Sequence, residues 1–378
     1  MNKYFTPLVA ASLFGFTGLP AHAEISINGF ASVKAGITTS SDRTLYGYDD
    51  ELNFKNESLL ALQFRSDLGD KLSLTAQLMG RGSEDFNANF EWAFITYMLT
   101  DNTRLNLGRL RTPFYRYSDF MDVGYAYDWN RVPQGFYGLG FDNIEGISIY
   151  HTGRFWGADS TWQVIYGSYN DDITLSGFPA SAKATDIVGG SWEIELGSLS
   201  YRVAYLRGDL SITSPMLDPL FSMLDQLSLS DLTAALDFKK DSGNFIGLGV
   251  TFDNGQWVFI SEYNRIDVKK SFFGQRENSY MSLGYRLDQL VPFVLVEKEN
   301  YKTKDRIYQP YQGVLPEQVL MPVMELVQSQ RVDAMSYSLG LRYDFHPSAA
   351  LKVQFTTRDD RIQDEKTSVL SFGVDLVF

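Results

Sequence analysis

From Glu24 to the last residue the sequence is a succession of segments, each about ten residues long, in which apolar and polar side chains alternate. The links between them alternate as well, short then long. Period-two alternation is the pattern of a strand with one face apolar. In the first segment Ile25, Ile27, Gly29, Ala31 and Val33 share one face, and Ser26, Asn28, Ser32 and Lys34 the other. The next are Asn56–Ser66, Lys71–Arg81, Asn89–Thr100, Thr103–Leu110, Ile144–His151, Asp159–Tyr169, Asp186–Leu196 and Leu199–Asp209. The series closes with Asn244–Asp253, Gln256–Asp267, Glu277–Asp288, Leu290–Asn300, Asp333–Phe345, Leu351–Arg358 and Thr367–Phe378. That makes about sixteen strands, an even number.

Short turns are expected at Asp67–Asp70, Asp101-Asn102, Gly197-Ser198, Asn254-Gly255, Asp288-Gln289 and His346–Ser348. Asn-Gly and Gly-Ser are hairpin chemistry, because such turns need positive φ. Long links fall between them: Thr38–Lys55, Arg111–Asn143, Asn170–Thr185, Leu210–Gly243, Val268–Arg276 and Tyr301–Val332. Short turns on one side and long loops on the other describe a transmembrane antiparallel β-barrel of the outer membrane, with periplasmic turns and extracellular loops. Even parity then puts both termini at the periplasmic end. A soluble sandwich shares the strand alternation but has no reason to keep the alternation of link lengths. Aromatics near strand ends, among them Tyr201, Tyr205, Trp257 and Phe378, fit interfacial girdles.

The first residues read as an export signal. Lys3 supplies the positive charge, Leu8–Leu19 the apolar run and Ala21-His22-Ala23 a small-residue cleavage site. Residues 1–23 are expected to be removed, leaving a barrel domain over 24–378. Cysteine is absent, so neither disulfides nor thiolate metal sites contribute. Acidic residues outnumber basic ones, 46 to 33, for a net charge of −13. This disfavours nucleic acid as a partner, which wants a basic footprint.

One link stands apart. From Arg109 to Gly140 the chain is crowded with aromatics, arginines and aspartates, and it is far longer than an ordinary connection. Its aromatic content argues against disorder, and it is expected to fold inward and narrow the pore. Tyr115, Tyr117, Tyr125, Tyr127 and Trp129 are expected to pack it against the wall, with Pro113 and Pro133 fixing its course. Two other links carry helical periodicity, Pro215–Leu229 and Pro316–Gln330. They read either as helices over the rim or as elements that narrow the mouth.

The signal ending AHA, the opening ISINGFASVKAG, the long third loop after LNLGRLR and the closing VLSFGVDLVF together resemble the trimeric general-diffusion porins of Gram-negative outer membranes. The resemblance implies a sixteen-stranded barrel, three to an assembly. It also implies a third loop whose acidic residues face basic wall residues across a constriction. A Pro-Glu-Phe-Gly element common in that loop is missing. Arg116-Tyr117-Ser118-Asp119 and Asp122-Val123-Gly124-Tyr125 stand there instead, so the role of the loop carries over but not each position.

Parity turns Lys34, Arg65, Arg81, Arg202, Arg286, Arg342, Lys352 and Arg358 toward the lumen, since a cation on the lipid face costs roughly 2–4 kcal/mol near mid-depth. Arg65, Arg202, Arg286, Arg342 and Lys352 lie close to short turns and are expected to line the lower vestibule. The candidate constriction set is Lys34, Arg65, Arg81, Arg109 and Arg111 against Asp119, Asp122 and Asp128. Opposed charges in a narrow wet pore make a transverse field that sorts ions and dipolar solutes. Arg109 also has a second reading, because it shares parity with Leu105 and Leu107 and would then leave the pore for a subunit contact. Asp171-Asp172 and Asp359-Asp360 are placed in outer loops, as solvated charge or as cation sites near lipopolysaccharide.

No G-x-S-x-G elbow, H-E-x-x-H helix or glycine-rich phosphate loop occurs, and only His151 and His346 remain in the mature chain. No enzyme activity, cofactor or metal is expected. The function read from the sequence is passive diffusion of small hydrophilic solutes and ions. A surface-binding barrel serving as adhesin or phage receptor, or a substrate-specific channel, is the alternative.

Overall fold

The computed structural model describes residues 24–139, 141–175 and 178–378; the expected leader and Gly140 lie outside them. Sixteen strands form one closed antiparallel barrel in which each pairs with its neighbours in sequence. Seven lie in the first half: β1 (Ile25–Thr38), β2 (Leu59–Gly69), β3 (Leu72–Arg81), β4 (Ala88–Thr100), β5 (Thr103–Arg111), β6 (Asn143–Phe155) and β7 (Ala158–Leu175). Then come β8 (Phe178–Leu196), β9 (Leu199–Thr213), β10 (Phe238–Asp253), β11 (Trp257–Val268) and β12 (Gln275–Tyr285). The last are β13 (Leu290–Lys302), β14 (Val332–His346), β15 (Ala349–Asp360) and β16 (Glu365–Val377). Closure is made by β1 on β16, from Phe30 opposite Val377 to Thr38 opposite Val369. No edge is left to pair with another chain.

Alternation sorts the side chains as the sequence requires. On β14 Tyr337, Leu339 and Leu341 are exposed on the outside, whereas Ser336 and Ser338 are buried inside. On β16 Leu370 faces out, and Ser371 and Asp375 are completely buried. Outward Leu60, Leu107, Val203, Leu248 and Met281 continue the apolar band around the barrel. Such a band costs about 25 cal/mol per Å² in water and is solvated by lipid instead. The short turns use left-handed residues where expected, with positive φ at Gly197, Gly255 and Asp288.

Three expectations need correction. The link Asn170–Thr185 is not a loop: β7 and β8 run through it as a tall hairpin of 18 and 19 residues. Its inward positions are Ala180, Ala182 and Ala184, all buried, and alanine alternation is too weak a signal to read as a strand. Asp171 and Asp172 therefore lie on β7 and Asp360 ends β15, rather than in outer loops. His151 lies inside β6, paired with Thr103, because the turn comes later, at Trp156-Gly157.

Both helical links fold as helices. The first holds α2 (Asp218–Gln226), followed by a second helix not expected, α3 (Ser230–Leu236); the other holds α4 (Glu317–Gln328). A one-turn helix, α1 (Gln134–Tyr137), lies in the third loop. Leu224 of α2, Leu232 and Leu236 of α3 and Val323 and Val327 of α4 are buried together with Phe238, Val268 and Phe272. The helices thus form an apolar cap on the long-loop end, beside the tall wall of β7–β10.

Candidate functional site

The third loop leaves β5 at Arg111, enters the barrel and returns to β6 at Asn143. Its aromatic residues are the reason it stays inside. Phe114, Tyr115, Tyr117, Tyr127, Trp129, Phe136 and Tyr137 form one buried cluster with the wall residues Phe245, Tyr280, Phe293 and Leu295. Trp129 has no exposed surface, meets Tyr280 edge to face and donates from Nε1 to Ser282 Oγ at 2.7 Å.

A loop inside a barrel must also satisfy its backbone, and the wall cations do this. Arg202 donates to the carbonyls of Pro113 and Phe114 at 2.7 and 3.0 Å. Arg342 reaches those of Tyr125 and Tyr127 at 2.9 and 3.0 Å. Lys352, fully buried, donates to Gly124, Tyr127 and Trp129 at 2.5, 2.6 and 2.9 Å. Its charge is balanced by Asp375 at 2.9 Å. Lys34 donates to the Asn130 carbonyl at 2.5 Å and lies 3.5 Å from the same carboxylate.

Arg202, Arg342 and Lys352 were expected to line an open vestibule. They hold the loop instead, because the loop descends further than mid-height. The Tyr125 hydroxyl reaches the carbonyl of Pro347, in the turn between β14 and β15. Lys34, expected across the gap from the loop, is 5 % exposed and spent on the loop's backbone. Glu262 on β11 accepts from three donors, two on the loop, the Arg116 amide at 3.0 Å and Tyr137 Oη at 2.6 Å, and one on the wall, Tyr280 Oη at 2.7 Å.

At the root of the loop the charges meet directly. Asp122 bridges two arginines, with Oδ1 3.1 Å from Arg81 Nη2 and Oδ2 bonded to Arg111 Nη2. Arg81 is also paired with Glu91, and Arg111 with Asp142. Glu91 turns inward at a bulge, where the register shifts between Gln77 and Leu78. Burial pushes the Asp122 carboxyl up, but the Arg111 and Arg81 guanidiniums more than offset this and hold it below the usual carboxylate range. Burial likewise opposes ionisation of Glu57, whose carboxylate is held down by bidentate bonds from Arg131 at 2.7 and 2.9 Å.

The other candidates fall elsewhere. Arg109 lies directly opposite Glu145 and shares the outward parity of Leu107; its ion pairs are with Glu145 at 3.2 Å and Asp171 at 4.0 Å, not with Asp119 or Asp122. Arg65 shares the inward face of Ala61 and Gln63 but is exposed near the short-turn end, with no ion pair among the described residues. Asp128 lies 3.7 Å from Arg342, and burial raises its carboxyl despite that charge. Asp119 is exposed and has no cation within 4 Å among the described residues. Asp375, Glu262, Glu91, Glu57, Arg131 and Asp142 were not among the candidates. Asp375 was visible as an inward position on β16, but nothing in the sequence gave it partners.

Above this cluster a cavity of about 640 Å³ opens, in which Glu84, Glu91, Asp122, Asp142 and Asp171 outnumber Arg81 and Arg109. Its potential is therefore negative.

A family model described as Gram-negative porin matches residues 9–374. A comparison with curated protein sequences gives no match. Among solved structures the chain is similar to the anion-selective porin from Comamonas acidovorans, at 14% identity and TM-score 0.58, covering 94% of this chain and 100% of that one. It is also similar to Salmonella typhi OmpF in complex with daunomycin, at 12% identity and TM-score 0.58, covering 94% and 98%. A loop-deletion mutant of OmpT, an outer membrane protein of Vibrio cholerae, gives 10% identity and TM-score 0.58 over 94% and 99%. Fold and family model agree: the chain belongs to the Gram-negative porins, as an antiparallel barrel spanning the outer membrane and a channel of that family.

Proposed function

We propose that the chain is a passive diffusion channel for small hydrophilic solutes and ions, with the third loop (about 111–143) as its constriction. The observation that carries this reading is the anchoring of that loop across the lumen by Arg202, Arg342, Lys352 and Lys34. Such a loop leaves only the gaps beside it for solutes, and Asp119 and Asp122 set the field there. The carboxylate excess at the mouth favours cations over anions. Within this reading residues 1–23 are a removed leader, both termini are periplasmic and the acidic outer surface meets lipopolysaccharide. The working unit is a homotrimer, an arrangement named for an in-vitro folded OmpT of Vibrio cholerae, similar at TM-score 0.53. No catalysis is part of it: His151 bonds to Thr103 and stacks on Trp162.

Planar-bilayer recording under a salt gradient tests the reading. Steady conductance closing in steps of three, with a reversal potential of cation sign, is the expected result. A protein of native heat-modifiable mobility that never conducts would overturn it.

A further inference from the structure

On the long-loop side of the third loop lies a second cavity, of about 360 Å³, mainly apolar where the first is acidic. Its wall is the inner face of β7–β11, where Ala182, Ala184, Leu206 and Phe245 point inward and are buried. The third loop closes it from one side with Phe114 and Phe141, and Leu210 and Ile212 pack against both the loop's core and that of the helical cap. The lumen of a barrel channel is ordinarily polar and wet, so a large apolar chamber within it needs an occupant.

Of the polar residues at its edge, Arg207 and Asn244 share the outward face of Tyr205, whereas Arg276 points inward from β12. Its guanidinium lies over Phe273 at 3.8 Å and Tyr301 at 4.8 Å and donates to Gln330 at 3.3 Å. Apart from exposed Arg65 near the short-turn end, the inward arginines named above are matched: Arg81, Arg111, Arg131, Arg342 and Arg358 by carboxylates, Arg202 by carbonyls. Arg276 has no carboxylate within 4 Å among the described residues, and only one of its five donors is engaged. A guanidinium oriented by two rings, with its fork unfilled, is a receptor for a carboxylate.

We propose that this cavity binds a small organic monoanion with an aromatic or branched apolar body, its carboxylate on Arg276 and its body among Ala182, Ala184, Leu206 and Phe245. The volume suits one such molecule, at the low end of the range for small-molecule sites. The site selects for both parts at once, since the chamber rejects a bare anion's hydration shell and the guanidinium gives a neutral body nothing in return.

Isothermal titration of the purified full-length protein with phenylacetate, acetate and benzyl alcohol tests this. Phenylacetate should bind saturably, at least tenfold tighter than either acetate or benzyl alcohol. R276Q should lose tenfold or more of the phenylacetate affinity with benzyl alcohol unchanged, and R276K should recover most of that loss. A184F, which fills the chamber, should weaken phenylacetate and benzyl alcohol together. Absence of saturable phenylacetate binding to the native protein, or equal binding in R276Q and A184F with native heat-modifiable mobility, would overturn the site. Conductance recorded on the same preparation separates the two readings. Conduction without binding removes this site and leaves the channel, and binding without conduction does the reverse.

Discussion

The hydroxyl of Tyr125 donates to the backbone carbonyl of Pro347 over 2.8 Å, joining positions 222 residues apart. One belongs to the loop that enters from the long-loop end, the other to a short turn at the opposite end. The loop therefore runs the depth of the barrel, and the cations of β14 and β15 meet its carbonyls on the way down.

Lys352 should be the most costly of those cations to remove. It donates to three carbonyls and pairs with a buried carboxylate, so Lys352→Met removes one member of a buried pair, worth about 3–5 kcal/mol. Tyr125→Phe deletes one neutral bond, worth about 1 kcal/mol. Single-channel conductance should rise at least twofold with added noise in K352M and change little in Y125F. The circular-dichroism spectrum of both should stay that of the barrel. Unchanged conductance in K352M would mean that the loop is held without it.

Asp119 and Asp122 should separate in their effects. Asp119 is exposed with no cation within 4 Å among the described residues, so D119N removes a field that solutes feel. Asp122 is neutralised by Arg81 and Arg111, so D122N leaves two guanidiniums short of a partner and both loosens the loop root and adds positive potential. Cation preference should fall modestly in D119N and clearly in D122N. It should hardly change in a D172N control on the outer face of the tall hairpin. With a Debye length of about 10 Å at 0.1 M salt, the differences should fade at 1 M. Equal reversal potentials in all three would remove the loop from the selectivity filter.

The sequence carries the wall well and the loop's fastening poorly, for one physical reason. Alternation states which side of the barrel a residue faces, and Lys34, Arg202, Arg342 and Lys352 do face inward. Alternation does not state what they meet there, because the partners are backbone carbonyls that no residue type marks. Depth is hidden on the same ground: cations near short turns look like vestibule lining unless a loop descends to them. Arg109 kept the parity of its strand and pairs with Glu145 and Asp171 instead of with the loop. Arg111, at the strand's end, escaped that parity and turned in. On β8 the inward alanines at 180, 182 and 184 gave too little contrast for a strand to be seen.

Acid should act on the loop in two stages. Burial raises Asp128, so it takes up a proton before Asp122 as the pH falls, freeing Arg342 of its nearest loop carboxylate. Asp122 is held below the usual carboxylate range, near 3.9, by Arg111 and Arg81. A lowered native pKa gives stability that is present above the unfolded value and lost as pH falls through the native one. The Asp122 tie should therefore persist at pH 4 and fail only in stronger acid. Conductance titrated from pH 7 to pH 3 should show an upper step that D128N abolishes and D122N leaves. An upper step lost in D122N instead would reverse the assignment.

Gly124 offers the most discriminating test of how the loop is fastened. Its carbonyl accepts from Lys352, and a Cβ built on its backbone would collide with the Asp375 carboxylate that Lys352 and Lys34 share. Asp375 is fully buried and also takes a bond from Ser32 Oγ, so it has nowhere to withdraw. Gly124→Ala should thus detach the loop by displacing the carboxylate, and K352M should detach it by removing the cation. Two routes to one broken contact give energies that do not add. The double variant G124A/K352M should conduct no more than K352M alone and lose about as much loop protection from protease. Additive effects on conductance and proteolysis would show that Gly124 and Lys352 act on separate parts of the loop, and that Asp375 is not the point through which the wall holds it.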